Sequence, residues 1–105
     1  MARAKKEKQA AAPKTTYYGL RRWYFANGNV IRKAFEVRRE SEPLSYYVHC
    51  EEYDVYEEFF PTAAAREKAN EAGRTTAEEI EANGMGACQI EGTAHTAVYY
   101  RKVIE

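Results

Sequence analysis

The side chains best suited to chemistry are two histidines, two cysteines and a group of carboxylates. His49 and Cys50 are adjacent, and Cys88 and His95 lie far along the chain, unlike the closely spaced pairs of most zinc sites. No helix N-terminus is predicted near either cysteine to activate its thiol as a nucleophile. We therefore expect no metal ion, no cofactor and no catalytic residue, and we do not expect an enzyme.

The carboxylates are concentrated in residues 45–60, SYYVHCEEYDVYEEFF, which contain no lysine or arginine. Side chains on one face of a strand recur at about 6.6–6.8 Å, which is comparable with the phosphate spacing of a single nucleic-acid strand. One interpretation is a partner face that imitates a nucleic-acid backbone. The alternative is that these acids lie beside a basic strand and neutralise it. The acidic partner face would comprise Glu51, Glu52, Asp54, Glu57 and Glu58.

The strongest structural signal is residues 17–39, YYGLRRWYFANGNVIRKAFEVRR, with Asn27-Gly28 between two β-prone runs. This pattern predicts a β-hairpin with a two-residue type I′ turn, in which both turn residues have positive φ. Counting back from that turn places Trp23 opposite Arg32, where the two side chains would form a cation–π pair.

In this register the two faces of the hairpin differ in chemistry. The core face would hold Tyr24 and Ile31, and the opposed pair Arg22 and Lys33 would splay to the sheet edge or meet carboxylates. On the other face aromatic rings alternate with arginines, so that bases could stack while guanidinium groups meet phosphates. Alternatively, Trp23 packs beneath a later element and the arginines are ordinary solvated charges. The nucleic-acid or partner face predicted from this register comprises Tyr17, Arg21, Trp23, Phe25, Arg32 and Arg38.

Residues 17–73 give three extended segments and then a helix that is entered by Phe60-Pro61-Thr62 and has Ala65 and Ala69 on its inner side. In this order they resemble the small β-β-β-α DNA-binding domains of the AP2-like and integrase arm-binding type. The resemblance implies a helix behind a three-stranded sheet whose open face enters the major groove. The acidic third segment and the C-terminal strands depart from the pattern. The resemblance would place on the nucleic-acid face Arg21, Trp23, Arg32 and Arg38.

Charge is unevenly distributed, although the formal net charge of the 105 residues is zero. Residues 1–39 carry eleven basic and two acidic side chains, whereas residues 40–84 carry three basic and twelve acidic ones. This separation indicates patches of opposite sign rather than a simple polyanion binder. We expect residues 1–16 to be a disordered basic tail, either an electrostatic arm or a solubilising terminus, before a single domain of residues 17–105.

We expect a cytoplasmic protein. Its basic start runs into Ala-Ala-Ala-Pro without an apolar segment, so no signal peptide and no membrane association are expected. The two cysteines fit buried free thiols in a reducing compartment, although a single bridge between them stays open at this point.

The remaining elements predict an α+β fold. The hydrophobic phase switches at Glu51-Glu52, which predicts a bulge or two short strands with a tight connection. Thr62 and the capping box Thr76–Glu79 begin helices predicted over 62–72 and 77–83. Strands are predicted over 87–91 and 96–104, the last inside the sheet. We expect an antiparallel sheet of about four to five strands with one or two short helices packed on one face.

Three hypotheses of function follow. The first is a small binding module that engages nucleic acid or a nucleoprotein through the basic and aromatic hairpin face. The second is a protein-binding inhibitor whose acidic, tyrosine-rich strand mimics nucleic acid, in the general character of phage anti-defence proteins, including anti-CRISPRs. The third is a homo-oligomeric structural module, for instance a homodimer, with Trp23 and Phe25 at the contact.

Overall fold

The computed structural model describes residues 13–104, which form a six-stranded antiparallel sheet and two short helices. The strand order across the sheet is β2-β1-β4-β3-β6-β5, so the last strand in sequence lies inside the sheet. The predicted α+β class with helices on one face is confirmed. The elements are β1 (Thr15–Phe25), β2 (Val30–Arg39), β3 (Ser45–His49), β4 (Tyr53–Phe60), α1 (Ala63–Ala72), α2 (Ala77–Asn83), β5 (Gly84–Gln89) and β6 (Thr96–Tyr100).

The hairpin of β1 and β2 is present, but its predicted turn and register are wrong by one residue. The Gly28 N–H donates to the Phe25 carbonyl at 3.0 Å, and the Phe25 N–H donates to the Asn29 carbonyl at 2.9 Å. The loop therefore has three residues, and only Gly28 within it has positive φ, at 95°. This is the geometry of a type I turn followed by a bulged glycine, the next most common hairpin loop after the two-residue turns.

The shifted register exchanges the two faces of β2 relative to β1, because side chains alternate along a strand. Trp23 lies opposite Ile31 rather than Arg32, and Arg22 lies opposite Arg32 rather than Lys33. The predicted pairing of Trp23 with Arg32 is therefore wrong, and each face of the hairpin has a different composition from the one predicted.

The phase switch at Glu51-Glu52 is resolved as two strands, β3 and β4, joined by a tight connection. Both predicted helix starts are confirmed. The Thr62 hydroxyl accepts a hydrogen bond from the Ala65 N–H at 3.1 Å, and Thr76 and Glu79 form a complete capping box. Side-chain oxygens satisfy backbone donors that the first turn of each helix leaves free, so the boundaries match the predicted ones closely.

Both helices lie on the same face of the sheet, which we call the helix face. Its apolar cluster joins Tyr56 of β4, Tyr100 of β6 and Ile80 of α2, all buried. Leu20 and Phe60 are also buried on this face. The tyrosine rings pack on one another, with 4.5 Å between the centroids of Tyr47 and Tyr56 and 5.6 Å between those of Tyr24 and Tyr56. The core depends on aromatic rings more than on leucine.

The structure also bears on the predicted tail, the two cysteines and the helix lengths. The predicted tail falls mostly outside the described residues, and β1 begins at Thr15, two residues before the predicted domain start. Cys50 and Cys88 are both free, and Cys88 is exposed rather than buried as predicted. Within residues 13–104, neither helix is long and apolar enough to cross a membrane.

Candidate functional site

The face opposite the helices, which we call the open face, is the candidate site. On it, residues from β1 lie between residues of β2 and β4, and those of β3 and β6 follow across the sheet. Neither described helix covers it. The alternation along each strand and the registers assign to it Tyr17, Gly19, Arg21, Trp23, Phe25, Ile31, Lys33, Phe35, Val37, Arg39, Tyr46, Val48, Tyr53, Val55, Glu57, Phe59, Ala97 and Tyr99.

Aromatic rings dominate the open face and support one another across strands. The ring centroids of Phe25 and Tyr53 are 5.5 Å apart, and those of Tyr46 and Tyr99 are 5.8 Å apart. Trp23 is half-buried, so part of its indole faces solvent. Tilted contacts of this kind hold the rings in place while leaving their outer surfaces open.

A glycine makes room for one of these rings. Gly19 lies opposite Phe35 in β2 and opposite Phe59 in β4. A Cβ at Gly19 would collide with the Phe35 ring, whose Cε2 atom would be 2.5 Å away. Phe35 and Phe59 meet edge to face at 5.9 Å. An aromatic side chain packed over a strand glycine buries the exposed backbone and fixes the register of the pair.

The main ionic contact on the open face joins β1 to β4. The Arg21 Nε donates to the Glu57 carboxylate at 2.5 Å, and its Nη2 donates to the Tyr46 hydroxyl at 3.0 Å. The Arg21 guanidinium also lies over the Trp23 ring, 5.5 Å from its centroid. Burial, and secondarily the nearby Glu57 carboxylate, raises the pKa of Tyr46. The arginine is thereby fixed in position, with its charge largely neutralised.

Four of the six residues predicted for the nucleic-acid or partner face lie together on the open face. These are Tyr17, Arg21, Trp23 and Phe25. The other two, Arg32 and Arg38, lie on the opposite side of the edge strand β2 because of the one-residue shift in register. Lys33, which the predicted register had placed opposite Arg22 on the core face, lies on this surface instead, together with Arg39.

The residues of the predicted acidic partner face are dispersed. Glu51 and Glu52 are exposed in the turn between β3 and β4. Asp54 lies on the helix face, 2.5 Å from His49 Nδ1 and 3.7 Å from Arg74. Glu57 pairs with Arg21, and the fifth acid, Glu58, is fully buried.

A polar cluster lies on the helix face, and its complete burial was not predicted from the sequence. Arg22 and Glu58 are both 0% exposed and form an ion pair. Thr75 and Tyr100 donate hydrogen bonds to Glu58, the latter at 3.0 Å, and the Lys102 ammonium lies 3.3 Å from the same carboxylate. The signal was available, since strand alternation places Arg22 on the same side as Leu20 and Tyr24, but charged residues at core positions are rare.

The order of elements differs from the β-β-β-α pattern that residues 17–73 resemble. Four strands rather than three precede α1, in the order β2-β1-β4-β3. The open face does lie opposite the helices, as the resemblance implies. Of the four residues that it would place there, Arg21 and Trp23 lie on that face, and Arg32 and Arg38 do not.

Residues 13–104 contain no group of three or more His, Cys, Asp or Glu side chains arranged to hold a metal ion. Comparisons with protein-family models, with curated proteins and with solved structures gave no match.

Proposed function

We propose that this chain is a small, non-enzymatic binding module that engages single-stranded nucleic acid on the open face. The observation that supports this best is the run of partly exposed aromatic rings on β1 and β4, flanked by the cations Arg21, Lys33 and Arg39. Stacking platforms bordered by basic side chains bind single strands with little sequence preference, because every base has a π-face.

The rings would carry most of the affinity. Trp23 and Phe25 are two residues apart on β1, and Tyr53 meets Phe25 from β4. Each stacked base contributes about 1–3 kcal/mol. A duplex keeps its bases stacked on one another, so the proposal requires a strand whose bases are free to turn outward.

The cations would position the phosphates. Lys33 is exposed beside Arg21 across the β1–β2 pair, and Arg39 is exposed at the far end of β2. Neither forms an ion pair with another of the described residues, whereas Arg21 is held by Glu57. Phosphate contacts of this kind make affinity depend on salt, since each releases condensed counterions.

The experiment is fluorescence anisotropy of labelled single-stranded DNA and RNA at several salt concentrations. We expect saturable binding that weakens with salt, and a loss of binding in the double variant Lys33→Glu/Arg39→Glu. The single variants Lys33→Glu and Lys68→Glu on α1 are the matched pair, because each makes the same charge change and the two residues lie on opposite faces. Unchanged binding by the double variant, or equal loss in the two single variants, would contradict the proposal.

The acidic-mimic alternative has less support, because Asp54, Glu57 and Glu58 already have cationic partners within the chain. Its test is displacement of DNA or RNA from a nucleic-acid-binding partner.

The third alternative, a homodimer, is favoured by the exposed side chain of Ile31, which is 52% accessible, near Trp23 on the open face. Analytical ultracentrifugation of the wild type and Trp23→Ala tests it, since a monomer in both cases excludes the dimer.

A module of this kind would act in the cytoplasm. The free Cys50 and Cys88 thiols support that placement, because reducing compartments keep cysteines unbridged.

A further inference from the structure

A cleft of about 580 Å³ lies on the helix face, away from the open face. Its floor contains the buried Arg22 and Glu58, and its walls come from α1, from the segment 73–76 and from α2. The chain after β6 closes one side, with Lys102, Val103 and Ile104 at the lining. The volume is within the range of sites that hold small molecules.

The floor of the cleft has donors without acceptors. Arg22 is 0% exposed, and its Nη2 donates to Glu58. Its Nε and Nη1 are buried and have no hydrogen-bond partner among residues 13–104. Buried donors of a charged group are rarely left without partners, because the loss of hydration is then uncompensated. The guanidinium therefore has capacity for an additional acceptor.

The charge of the lining favours an anion. Four basic side chains line the cleft, against the two carboxylates of Glu58 and Glu79, and one of the four, Arg74, also lies 3.7 Å from Asp54 outside the lining. Of the two carboxylates, Glu58 is occupied by Arg22, by Tyr100 and by Lys102. The basic residues in the lining are Arg22, Lys68, Arg74 and Lys102.

Apart from Thr75, Thr76 and Asn83, the remaining lining is apolar and includes exposed side chains. Ala65, Ala69 and Ala72 present small methyl groups from α1, which leaves space between the helix and the chain end. Val103 and Ile104 are 62% and 40% exposed at the rim. An apolar body seated there would remove hydrocarbon from water.

We propose that this cleft binds a small amphipathic anion, with its carboxylate or phosphate group toward Arg22 and Lys102 and its apolar part against α1 and Ile104. This site is independent of the proposed nucleic-acid surface, which lies on the other face of the sheet. The recognition group Arg22 is buried at the floor of the cleft, where a small ligand fits better than a large polyanion.

The test is an NMR titration of the full chain with each of three probes: octanoate, octanol and inorganic phosphate. We expect saturable binding of octanoate, with intermolecular NOEs from its methylene protons to the methyl groups of Ala69 and Ile104. Octanol, which lacks the charge, should bind at least about tenfold more weakly, since a hydrogen bond to an ionised group exceeds a neutral one by that order. Octanoate should also raise the midpoint of thermal unfolding.

Lys102→Met should weaken octanoate binding by about tenfold, whereas Lys33→Met on the open face should leave it unchanged. If Lys102→Met fails to fold, the wild-type NOEs decide alone. The proposal is overturned if octanoate does not bind saturably, or if its NOEs come from another part of the surface. It is also overturned if octanol binds as tightly as octanoate, or if inorganic phosphate is the only probe that binds. Failure here leaves the nucleic-acid proposal untouched, because the two tests use different ligands and different faces.

Discussion

The guanidinium of Arg21 lies over the indole of Trp23, 5.5 Å from the ring centroid, on the face of the sheet that neither described helix covers. Arg21 and Trp23 are two residues apart on β1, so their side chains are neighbours on the same face of the strand. Glu57 holds the arginine from β4. The fold therefore holds Arg21 and Trp23 in place, and in the proposed complex a ligand phosphate would compete with Glu57 for the guanidinium.

Glu57→Gln should strengthen binding of single-stranded nucleic acid. Removing the carboxylate leaves Arg21 hydrogen-bonded to a neutral amide, so its charge becomes available to a phosphate. We expect tighter binding at low salt and a slope of log affinity against log salt that is steeper by about 0.7, the value for one contact to a single strand. Anisotropy titrations measure both quantities. Glu71→Gln on α1 is the control, and an identical gain there would show a general charge effect instead.

Arg22→Met should destabilise the fold by about 3–5 kcal/mol, because it leaves the buried Glu58 without its closest cation. The double variant Arg22→Met/Glu58→Met should recover much of that loss, since it removes both charges from the interior. Urea denaturation of the two single variants and the double variant gives the coupling free energy. Additive losses would contradict a direct buried pair.

Gly19→Ala should destabilise the sheet by about 1–3 kcal/mol, the usual cost of overpacking. The new methyl group would meet the Phe35 ring rather than empty space. The second variant Phe35→Ala should itself be destabilising, and Gly19→Ala should add little to it. The comparison is made by denaturant unfolding. Full additivity of the two substitutions would mean that the ring does not lie over the glycine in solution.

Stability should fall as pH rises above about 10, the pKa of an unperturbed tyrosine. Burial, with a smaller contribution from Glu58, raises the pKa of Tyr100 far above that value, and burial likewise raises the pKa of Tyr56. The folded state then holds protons that the unfolded state releases, so the contribution is complete below about pH 10 and is lost above it.

Chemical denaturation at increasing pH, together with the ultraviolet absorbance of phenolate, measures this effect. We expect phenolate from Tyr100 and Tyr56 to appear only with unfolding. Tyr100→Phe should make the alkaline loss shallower, because one of the buried hydroxyls is gone. Smooth ionisation of all tyrosines without unfolding would contradict burial of these two side chains.

Local features of the fold could be predicted from the sequence because they depend on neighbouring residues. The caps at Thr62 and Thr76 and the phase switch at Glu51-Glu52 are of this kind. The hairpin was predictable, but its register was not. Asn27-Gly28 is compatible with a two-residue turn and with a three-residue loop that includes Ala26. The one-residue difference in loop length decides which side chains of β2 lie on each face.

The composition of the candidate site depended on that register and on pairing between distant strands. Side-chain alternation fixed Tyr17, Arg21, Trp23 and Phe25 relative to one another, so these four stayed together. The pairing of β4 with β1 joins residues far apart in sequence, and it alone brings Glu57 to Arg21. Periodicity within a strand carries no information on which strand lies beside it.

Trp23 is the only tryptophan of the chain, so its fluorescence reports directly on the open face. The decisive measurement is a titration of the wild-type protein with an unlabelled single-stranded oligonucleotide, followed by tryptophan emission. We expect saturable quenching that is reversed by added salt, because a base stacked on the indole quenches it and counterions compete for the phosphates. Emission that stays constant while the oligonucleotide reaches high concentration would contradict the proposed binding surface.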